Sequence, residues 1–276
     1  MKALLLSSLI MTASCSKPAS PTLTTSPSAL PDAGFEKLGP PEPGEWRYSF
    51  RESPQGFDDY VDSCANRKSA ARSVFYIQPL GAAGERYRAT IERMRAYAEA
   101  FFGVPAKVRE AIPMFEEGWV PQRRQFNSTA VISQLAGGVP EDALVYIGIT
   151  EKDLFARGLN FVFGEGNLKN RCGIYSLTRY ETDDEKLFLR RALKLMSHEV
   201  GHILSIHHCV TYRCVMQGAN SLDEDDRHPM HLCPIDLRKL QWNAGFDVLE
   251  RYRKLEKVYR ETGLEGEAEW VSQRMK

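Results

Sequence analysis

The chain has 276 residues, of which 43% are hydrophobic and 26% charged, and its 36 lysines and arginines balance 36 aspartates and glutamates. This composition is typical of a globular protein and excludes a collagen-like, fully disordered or multi-span membrane chain. Without net charge the chain lacks the overall field that attracts a polyanion, so nucleic acid is not an expected partner.

The first fourteen residues have the pattern of an export signal. A lysine precedes an apolar run at residues 3–11 that is too short to cross a bilayer as a mature helix. Small residues then precede Cys15, as in the bacterial lipobox, although Thr12 stands where leucine is usual. We therefore predict a signal peptide over residues 1–14 and a lipid on Cys15, anchoring an exported protein that faces the periplasm or sits on the outer membrane of a bacterium. The alternative is a soluble secreted protein cleaved near Ser14.

A proline-rich stretch follows. Residues 16–45 hold seven of the fifteen prolines, mixed with serine, threonine and alanine. Such a segment has too few apolar side chains to form a core. We predict a tether over residues 15–45 and one folded domain over residues 46–276.

The apolar pattern of the domain predicts mixed α and β structure. Predicted strands cover residues 72–80, 143–150, 160–166 and 171–180. Predicted helices run from 84 to Gly103, from about Asn127, from Glu185 to about 206 with Asp183 and Asp184 as cap residues, and in one block from Leu237 to about Glu261. We expect this last block to pack on the domain, and the alternative is a helix that binds a partner.

All six histidines lie between residues 198 and 231. His198 and His202, in HEVGH, are one helical turn apart, so both rings lie on one helix face about 6 Å apart along the axis, within reach of one metal ion. Glu199 lies between them. A catalytic zinc has three protein ligands and a water whose pKa falls toward 7, and a neighbouring carboxylate can accept the proton of that water. HExxH alone also occurs in helices unrelated to zinc.

A third histidine, His208, follows His202 by six residues, which lets the chain leave the helix and turn back. The segment resembles the HExxHxxGxxH motif of metzincins, except that Ser205 replaces the glycine. Residues other than glycine adopt the left-handed conformation at a cost of about 1 kcal/mol or more. His207 is the competing third ligand, but its spacing fits less well. Met216 resembles the methionine turn beneath a metzincin zinc, and core packing is its other interpretation.

The cysteines downstream of the histidines make the resemblance more specific. They resemble the archaemetzincin (archaelysin) metallopeptidases, whose motif continues with HC, CxM and CxxC and which carry a second zinc on four cysteines. The likeness spans residues 122–245, including RRQFNST, GITEKDLF, LNFVFGEG, GIYSLTRY and NSLDEDDRHPMHLCPIDLRKL. It implies a zincin-like α+β fold, with a mixed sheet, an active-site helix and a small C-terminal lobe.

Asp236 stands where this family has its last cysteine. The second zinc site that the resemblance implies therefore consists of Cys209, Cys214, Cys233 and Asp236. In an oxidising compartment the alternative is a disulfide between Cys209 and Cys214. Pairing Cys64 with Cys172 would leave the other three cysteines for metal.

The resemblance implies a zinc metallopeptidase that hydrolyses peptide bonds, with one catalytic zinc and a second, structural zinc. His198, His202 and His208 would hold the catalytic ion, and Glu199 would act as the general base. An extended peptide would lie along residues 174–180 as a sheet edge. The candidate donors to the oxyanion are Tyr175, Tyr180 and Tyr212.

The rival hypothesis is a zinc-stabilised binding lipoprotein without turnover, since Ser205 and Asp236 both depart from the motif. Glu199 argues against it, because a protein that only binds has no chemical need for a carboxylate between two ligands. A zinc-ribbon module for nucleic acid conflicts with export and with zero net charge.

Overall fold

Eight strands in two sheets form the β structure of the described residues, 34–63 and 66–276, in a computed structural model. The strands are β1 (Val74–Pro79), β2 (Ala106–Val108), β3 (Trp119–Val120), β4 (Gln125–Asn127), β5 (Ala143–Thr150), β6 (Leu154–Phe155), β7 (Gly164–Asn167) and β8 (Cys172–Ser176). The larger sheet has the order β2-β1-β5-β8-β7, in which only β7 is antiparallel to its neighbour. The smaller sheet has the order β3-β4-β6.

The centre of the larger sheet is β5, and the prediction of a strand at residues 143–150 is confirmed. All eight residues of β5 are buried, as expected for a continuous apolar run covered on both faces. Gly148 is needed within it, because a Cβ there would lie 2.8 Å from the side chains of Leu80, Leu135 and Ile174.

Ten α-helices lie in the described part of the chain. They are α1 (Trp46–Ser49), α2 (Phe57–Asp62), α3 (Ala83–Arg86), α4 (Arg88–Phe102), α5 (Ser128–Ala136), α6 (Glu185–Ile203), α7 (Leu222–Arg227), α8 (Pro234–Ala244), α9 (Val248–Glu261) and α10 (Glu265–Arg274). Among these helices none is long and apolar enough to span a membrane.

Several predicted helix boundaries are confirmed by their caps. Gly103 ends α4 in the left-handed conformation, with φ of 65°. The side chain of Asn127 accepts a hydrogen bond from the N–H of Ala130 at the start of α5. Asp184 caps α6 in the same way. These short polar side chains bond N–H groups that have no partner within the helix.

The single helical block predicted from Leu237 to Glu261 is wrong. Gly245 has φ of 76° and ends α8, and α9 begins three residues later with Asp247 as its N-cap. A left-handed glycine followed by a capping aspartate stops one helix and starts another, although the apolar spacing continues across the break. Both helices contribute buried residues to the main core, so the expected packing on the domain is confirmed.

The expected sheet edge at residues 174–180 is also wrong. β8 ends at Ser176 and lies between β5 and β7, and a 3₁₀ turn follows at Thr178–Tyr180. The edge strand next to β8 is β7, which begins later than the predicted strand at 160–166. The predicted strand overlaps β7 at residues 164–166, whereas its apolar residues 161–163 precede β7, and the sequence of β7, GEGN, has low strand propensity.

Residues before Trp46 contact the domain. Lys37 pairs with Tyr212 in an isolated bridge, and the ring of Phe35 packs edge-on against Trp270. The packed part of the chain therefore starts within the stretch predicted as a tether. The signal peptide, Cys15 and Cys64 lie outside the described residues, so the predictions made for them stay predictions.

Candidate metal centres and catalytic residues

Three histidines meet at the C-terminal end of α6. His198 and His202 project from consecutive turns of this helix, and their Nε2 atoms lie 3.0 Å apart. The ring of His208 lies 5.2 Å from that of His198 and 4.8 Å from that of His202, measured between centroids. One nitrogen from each ring lies within 4.8 Å of the other two. The structure thus brings together the three predicted ligands.

The hydrogen bonds of the rings determine which nitrogen faces the centre. Nδ1 of His198 lies 2.9 Å from the carbonyl of Val215, and Nδ1 of His202 lies 2.8 Å from that of Ile206. A carbonyl only accepts, so each Nδ1 carries the hydrogen and each Nε2 keeps its lone pair. Lone pairs that face each other at 3.0 Å repel, unless a cation lies between them.

The residues fit a zinc ion on these observations. With Zn–N bonds of about 2.0–2.1 Å, neighbouring ligand nitrogens in a tetrahedron lie roughly 3.3–3.4 Å apart, close to the separation of the two Nε2 atoms. Burial lowers the pKa of His202 to about 4 and that of His198 well below its usual value, so both rings are neutral near pH 7. Neutral imidazole is the form that binds a metal.

Ser205 lies in the turn between the second and third histidines. It has φ of 67°, so this serine adopts the left-handed conformation for which the family motif has glycine. Its side chain is buried, and its hydroxyl has no hydrogen-bond partner among the described residues. The N–H of Ile206 bonds the carbonyl of Gly201 over 2.9 Å, which closes the turn. The substitution keeps the shape of the turn and adds local strain.

His207, the competing third ligand, is exposed, and its backbone N–H donates to Oε1 of Gln55.

Met216 is fully buried beneath α6. A Cβ on Gly201 would lie 2.4 Å from the sulfur of Met216, so the helix can approach this methionine only because glycine lies between the two helical histidines. Met216 therefore packs against the turn of α6 that carries the two histidines, and its role as a methionine turn stays a prediction.

Glu199 lies between the two helical histidines and against the edge strand β7. Burial raises its pKa to about 7, and the carboxylate of Glu165 contributes in the same direction. A backbone hydrogen bond from Gly166 acts in the opposite direction. A pKa near neutrality is suited to a group that both accepts and returns a proton.

A second cluster lies next to the first, because Cys209 follows His208 in the chain. It consists of Cys209, Cys214, Cys233 and Asp236, all buried, with ligand atoms within 4.8 Å of one another. The sulfurs of Cys209 and Cys233 lie 3.8 Å apart, and Oδ2 of Asp236 lies 3.3 Å from the sulfur of Cys214. Tetrahedral zinc with Zn–S bonds of about 2.3 Å needs sulfurs roughly 3.8 Å apart, so this cluster also fits the ion.

Charges within this second cluster are partly balanced by Lys239. Its Nζ lies 2.8 Å from Oδ1 of Asp236, and both side chains are almost fully buried. Burial raises the pKa of Asp236, and the ammonium group of Lys239 opposes that rise. Hydrogen bonds with Cys214 and Cys233 hold the pKa of the Cys209 thiol well below its usual value, whereas the pKa of Cys214 is raised, mainly by burial, and that of Cys233 is raised, mainly by its hydrogen bond with Cys209. An anionic sulfur is the form that binds zinc.

The described cysteines are free thiols. The alternative disulfide between Cys209 and Cys214 is not formed. Cys172 is buried with its sulfur 3.9 Å from the carbonyl of Ile132, and Cys64, its predicted partner, is outside the described residues.

The three candidate oxyanion donors lie in different surroundings. Tyr175 and Tyr180 are buried in the main core, where burial raises the pKa of both hydroxyls. Tyr212 pairs through its backbone with Lys37. The hydroxyl of Tyr175 has no hydrogen-bond partner among the described residues, and the carboxylate of Glu199 contributes to the raised pKa of Tyr175 and of Tyr180.

Sequence analysis missed two residues that contact the site. Glu52 lies against His208, and Gln55 contacts the turn around Ser205. Both are about 150 residues away in sequence, in a segment without a recognisable motif, so no local signal predicts them. The buried Lys239 was also missed, although its spacing of three from Asp236 on a helix was available as a signal.

The chain is similar in sequence to a peptidase family and to several of its members. A model of peptidase family M54 matches residues 123–242. Archaemetzincin-2 from Rattus norvegicus is 34% identical over 269 residues, which cover 81% of this chain and 74% of the rat protein. Archaemetzincin from Archaeoglobus fulgidus is 34% identical over 158 residues, which cover 57% of this chain and 92% of that protein.

Solved structures agree. The crystal structure of the Archaeoglobus fulgidus archaemetzincin complexed with malonate is 33% identical, with a TM-score of 0.54, and covers 60% of this chain and 99% of that one. The archaemetzincin of Methanopyrus kandleri is 27% identical, with a TM-score of 0.58, and covers 65% of this chain and 99% of that one. The predicted zincin-like α+β fold is confirmed by these likenesses.

Proposed function

Because the chain belongs to the archaemetzincins, peptidase family M54, and is a zinc metallopeptidase, we propose that the histidine cluster is its catalytic centre. His198, His202 and His208 hold one zinc ion through their Nε2 atoms. The observation that carries this proposal is the convergence of nitrogen lone pairs while Nδ1 of His198 and of His202 faces a carbonyl oxygen. Zinc supplies Lewis-acid polarisation of the scissile carbonyl and a water that ionises near neutral pH.

Glu199 acts as the general base in this proposal. It accepts a proton as water attacks the carbonyl carbon, and it returns that proton to the nitrogen of the leaving amine when the C–N bond breaks. Its position between two ligands and its pKa of about 7 support both transfers. The carboxylate form of Glu199 is the one that accepts the proton, and a cation held by the histidines would favour that form.

The substrate is a peptide or a protein, and we propose that it lies in extended form along β7. This strand is one of the two edge strands of the larger sheet, and Gly166 brings it close to the catalytic helix, α6: a Cβ there would lie 3.1 Å from the carbonyl oxygen of Glu199. Backbone groups on an open edge can pair with one more strand. A peptide paired there would have its backbone next to Glu199.

The second cluster is proposed as a structural zinc site with three sulfur ligands and one oxygen ligand. Its separations and its burial support this assignment. A site with four protein ligands leaves no position for water, so it contributes to stability and not to hydrolysis. Two zinc ions per chain are therefore expected. Export and lipidation at Cys15 stay proposals that the described residues do not address.

The experiment is a digest of a mixed peptide library, followed by mass spectrometry, with metal content measured on the same samples. We expect cleavage by the zinc-loaded protein, none after removal of zinc by a chelator, and recovery when zinc is restored. The Glu199→Ala variant should keep two zinc ions and cleave nothing. Full activity of this variant would refute the role of Glu199, and zinc binding without cleavage by the wild type would favour the rival binding protein.

A further inference from the structure

The third histidine is oriented by a side chain, in contrast to the other two. Nδ1 of His208 lies 2.9 Å and 3.0 Å from the two carboxylate oxygens of Glu52. His198 and His202 instead direct Nδ1 to backbone carbonyls, whose positions depend on the fold. His208 lies beyond the end of α6, so no helix fixes the direction of its side chain.

Glu52 is itself held in place. Nε1 of Trp46 donates to its Oε2 over 3.1 Å, and the indole ring lies edge-on to the ring of His208, with centroids 5.3 Å apart. The backbone N–H of Trp46 bonds Oε1 of Glu224 over 2.9 Å. A Cβ on Gly218 would lie 2.5 Å from the indole, so this glycine provides the space for it. Trp46 thus links Glu52 to the segment beyond the histidines.

The same segment of chain covers the end of the catalytic helix. The side-chain amide of Gln55 donates to the carbonyl of Ser205 over 3.0 Å and accepts from the N–H of His207 over 3.1 Å. The hydroxyl of Tyr60, which is fully buried, donates to the carbonyl of Leu204 over 2.8 Å. The carbonyl of Leu204, the C-cap residue of α6, lacks a partner within the helix, and the carbonyl of Ser205 lies in the turn that follows; these side chains bond both.

We infer that Glu52 is the positioning residue for the third zinc ligand, forming a carboxylate–histidine–zinc arrangement from a segment that lies outside the range matched by the family model. This inference rests on the proposed ligand role of His208. The carboxylate holds the hydrogen on Nδ1, directs Nε2 to the centre and makes this nitrogen a stronger donor to the metal. Glu52 does not belong to the cluster of candidate metal ligands, so in this inference it acts through His208.

The test measures metal affinity, using the full chain with cobalt and then zinc. Cobalt bound by thiolates gives sulfur-to-metal charge-transfer absorption, which cobalt bound by imidazoles lacks, so the two sites are followed separately. We expect Glu52→Gln to weaken binding at the histidine site about 10-fold and Glu52→Ala to weaken it up to about 100-fold, with no change at the cysteine site. Glu42→Gln is the matched control: it removes the same charge from the same segment and leaves the bond to His208 in place.

Unfolding of the metal-free variants in urea separates positioning from general support. Glu52 is partly exposed, so loss of its hydrogen bonds with Trp46 and His208 should lower the stability of the metal-free protein by no more than about 1 kcal/mol, with the same loss in buffers with and without chelator. Equal affinity of Glu52→Gln, Glu52→Ala and Glu42→Gln for metal at the histidine site would overturn the inference, as would an equal loss in all three. If the wild type binds no metal at the histidines, the proposed function itself fails, which is a distinguishable result.

Discussion

The side-chain amide of Gln55 and the carbonyl of Ser205 are joined by a hydrogen bond of 3.0 Å at the turn where the catalytic helix ends. Ser205 adopts φ of 67° there, which a residue with a Cβ tolerates only at a cost. The bond from Gln55 supports this strained turn from outside the helix. The departure from the family motif therefore leaves the path from His202 to His208 intact.

Ser205→Gly should raise the free energy of unfolding of the metal-free protein by about 1 kcal/mol. Glycine relieves the left-handed strain and removes a buried hydroxyl without a partner, and the extra freedom of glycine in the unfolded chain offsets part of that gain. Urea denaturation measures the change. Ser205→Ala is the control, since it removes the hydroxyl and keeps the strain, and a glycine variant no more stable than the alanine variant would contradict this account.

The parts of the fold that depend on local pattern were predictable. β5 is a continuous apolar run, and α6 has a capping aspartate followed by helical periodicity, so both were predicted with nearly correct limits. His198 and His202 were predictable because their spacing brings both rings to one helix face. His208 was predictable because it follows His202 at the spacing of the metzincin motif. In each of these cases the information lies within about twenty consecutive residues.

Other features depend on contacts between distant residues. Glu52 and His208 are 156 positions apart, and no spacing rule joins them. The edge position of β7 follows from its antiparallel pairing with β8, whereas strand propensity points to the apolar residues just before it. Gly245 is a residue type that ends helices, so the break had a signal in the sequence. The apolar spacing continues on both sides of it, however, and this spacing predicted one helix.

Lys239→Met should destabilise the metal-free protein by about 3 kcal/mol, because it leaves the buried carboxylate of Asp236 without its ammonium partner. Zinc in the cysteine cluster would take over that carboxylate, so the loss should shrink when zinc is present. Urea denaturation with and without zinc measures both values. Lys254→Met, which breaks an exposed pair with Glu250, should cost less than about 0.5 kcal/mol in either condition. A loss that is the same with and without zinc would argue against Asp236 as a ligand.

Glu199→Gln should change how the stability of the metal-free protein depends on pH. The pKa of Glu199 rises from 4.5 to about 7 in the folded state. Between those pH values the folded protein keeps a proton that the unfolded chain has lost, so the stability of the wild type falls as pH rises through this window. The glutamine variant lacks this loss and should gain up to about 3 kcal/mol relative to the wild type between pH about 4.5 and 7, less where water reaches the carboxylate.

Chemical denaturation in chelator across that pH range measures the difference between the two proteins. The histidines are common to both, so their titration cancels. With zinc bound the difference should diminish, because the ion stabilises the carboxylate. Stability curves that stay parallel from pH 4.5 to 7.5 in chelator would show that the environment of Glu199 does not favour its protonated form.

Anomalous diffraction at the zinc absorption edge, from crystals of the zinc-loaded protein, tests the central claim most directly. We predict one peak about 2.0–2.1 Å from Nε2 of His198, His202 and His208, and a second among the three cysteines and Asp236. A peak at the cysteine cluster alone, with the three imidazoles free of metal, would contradict the assignment of the catalytic centre.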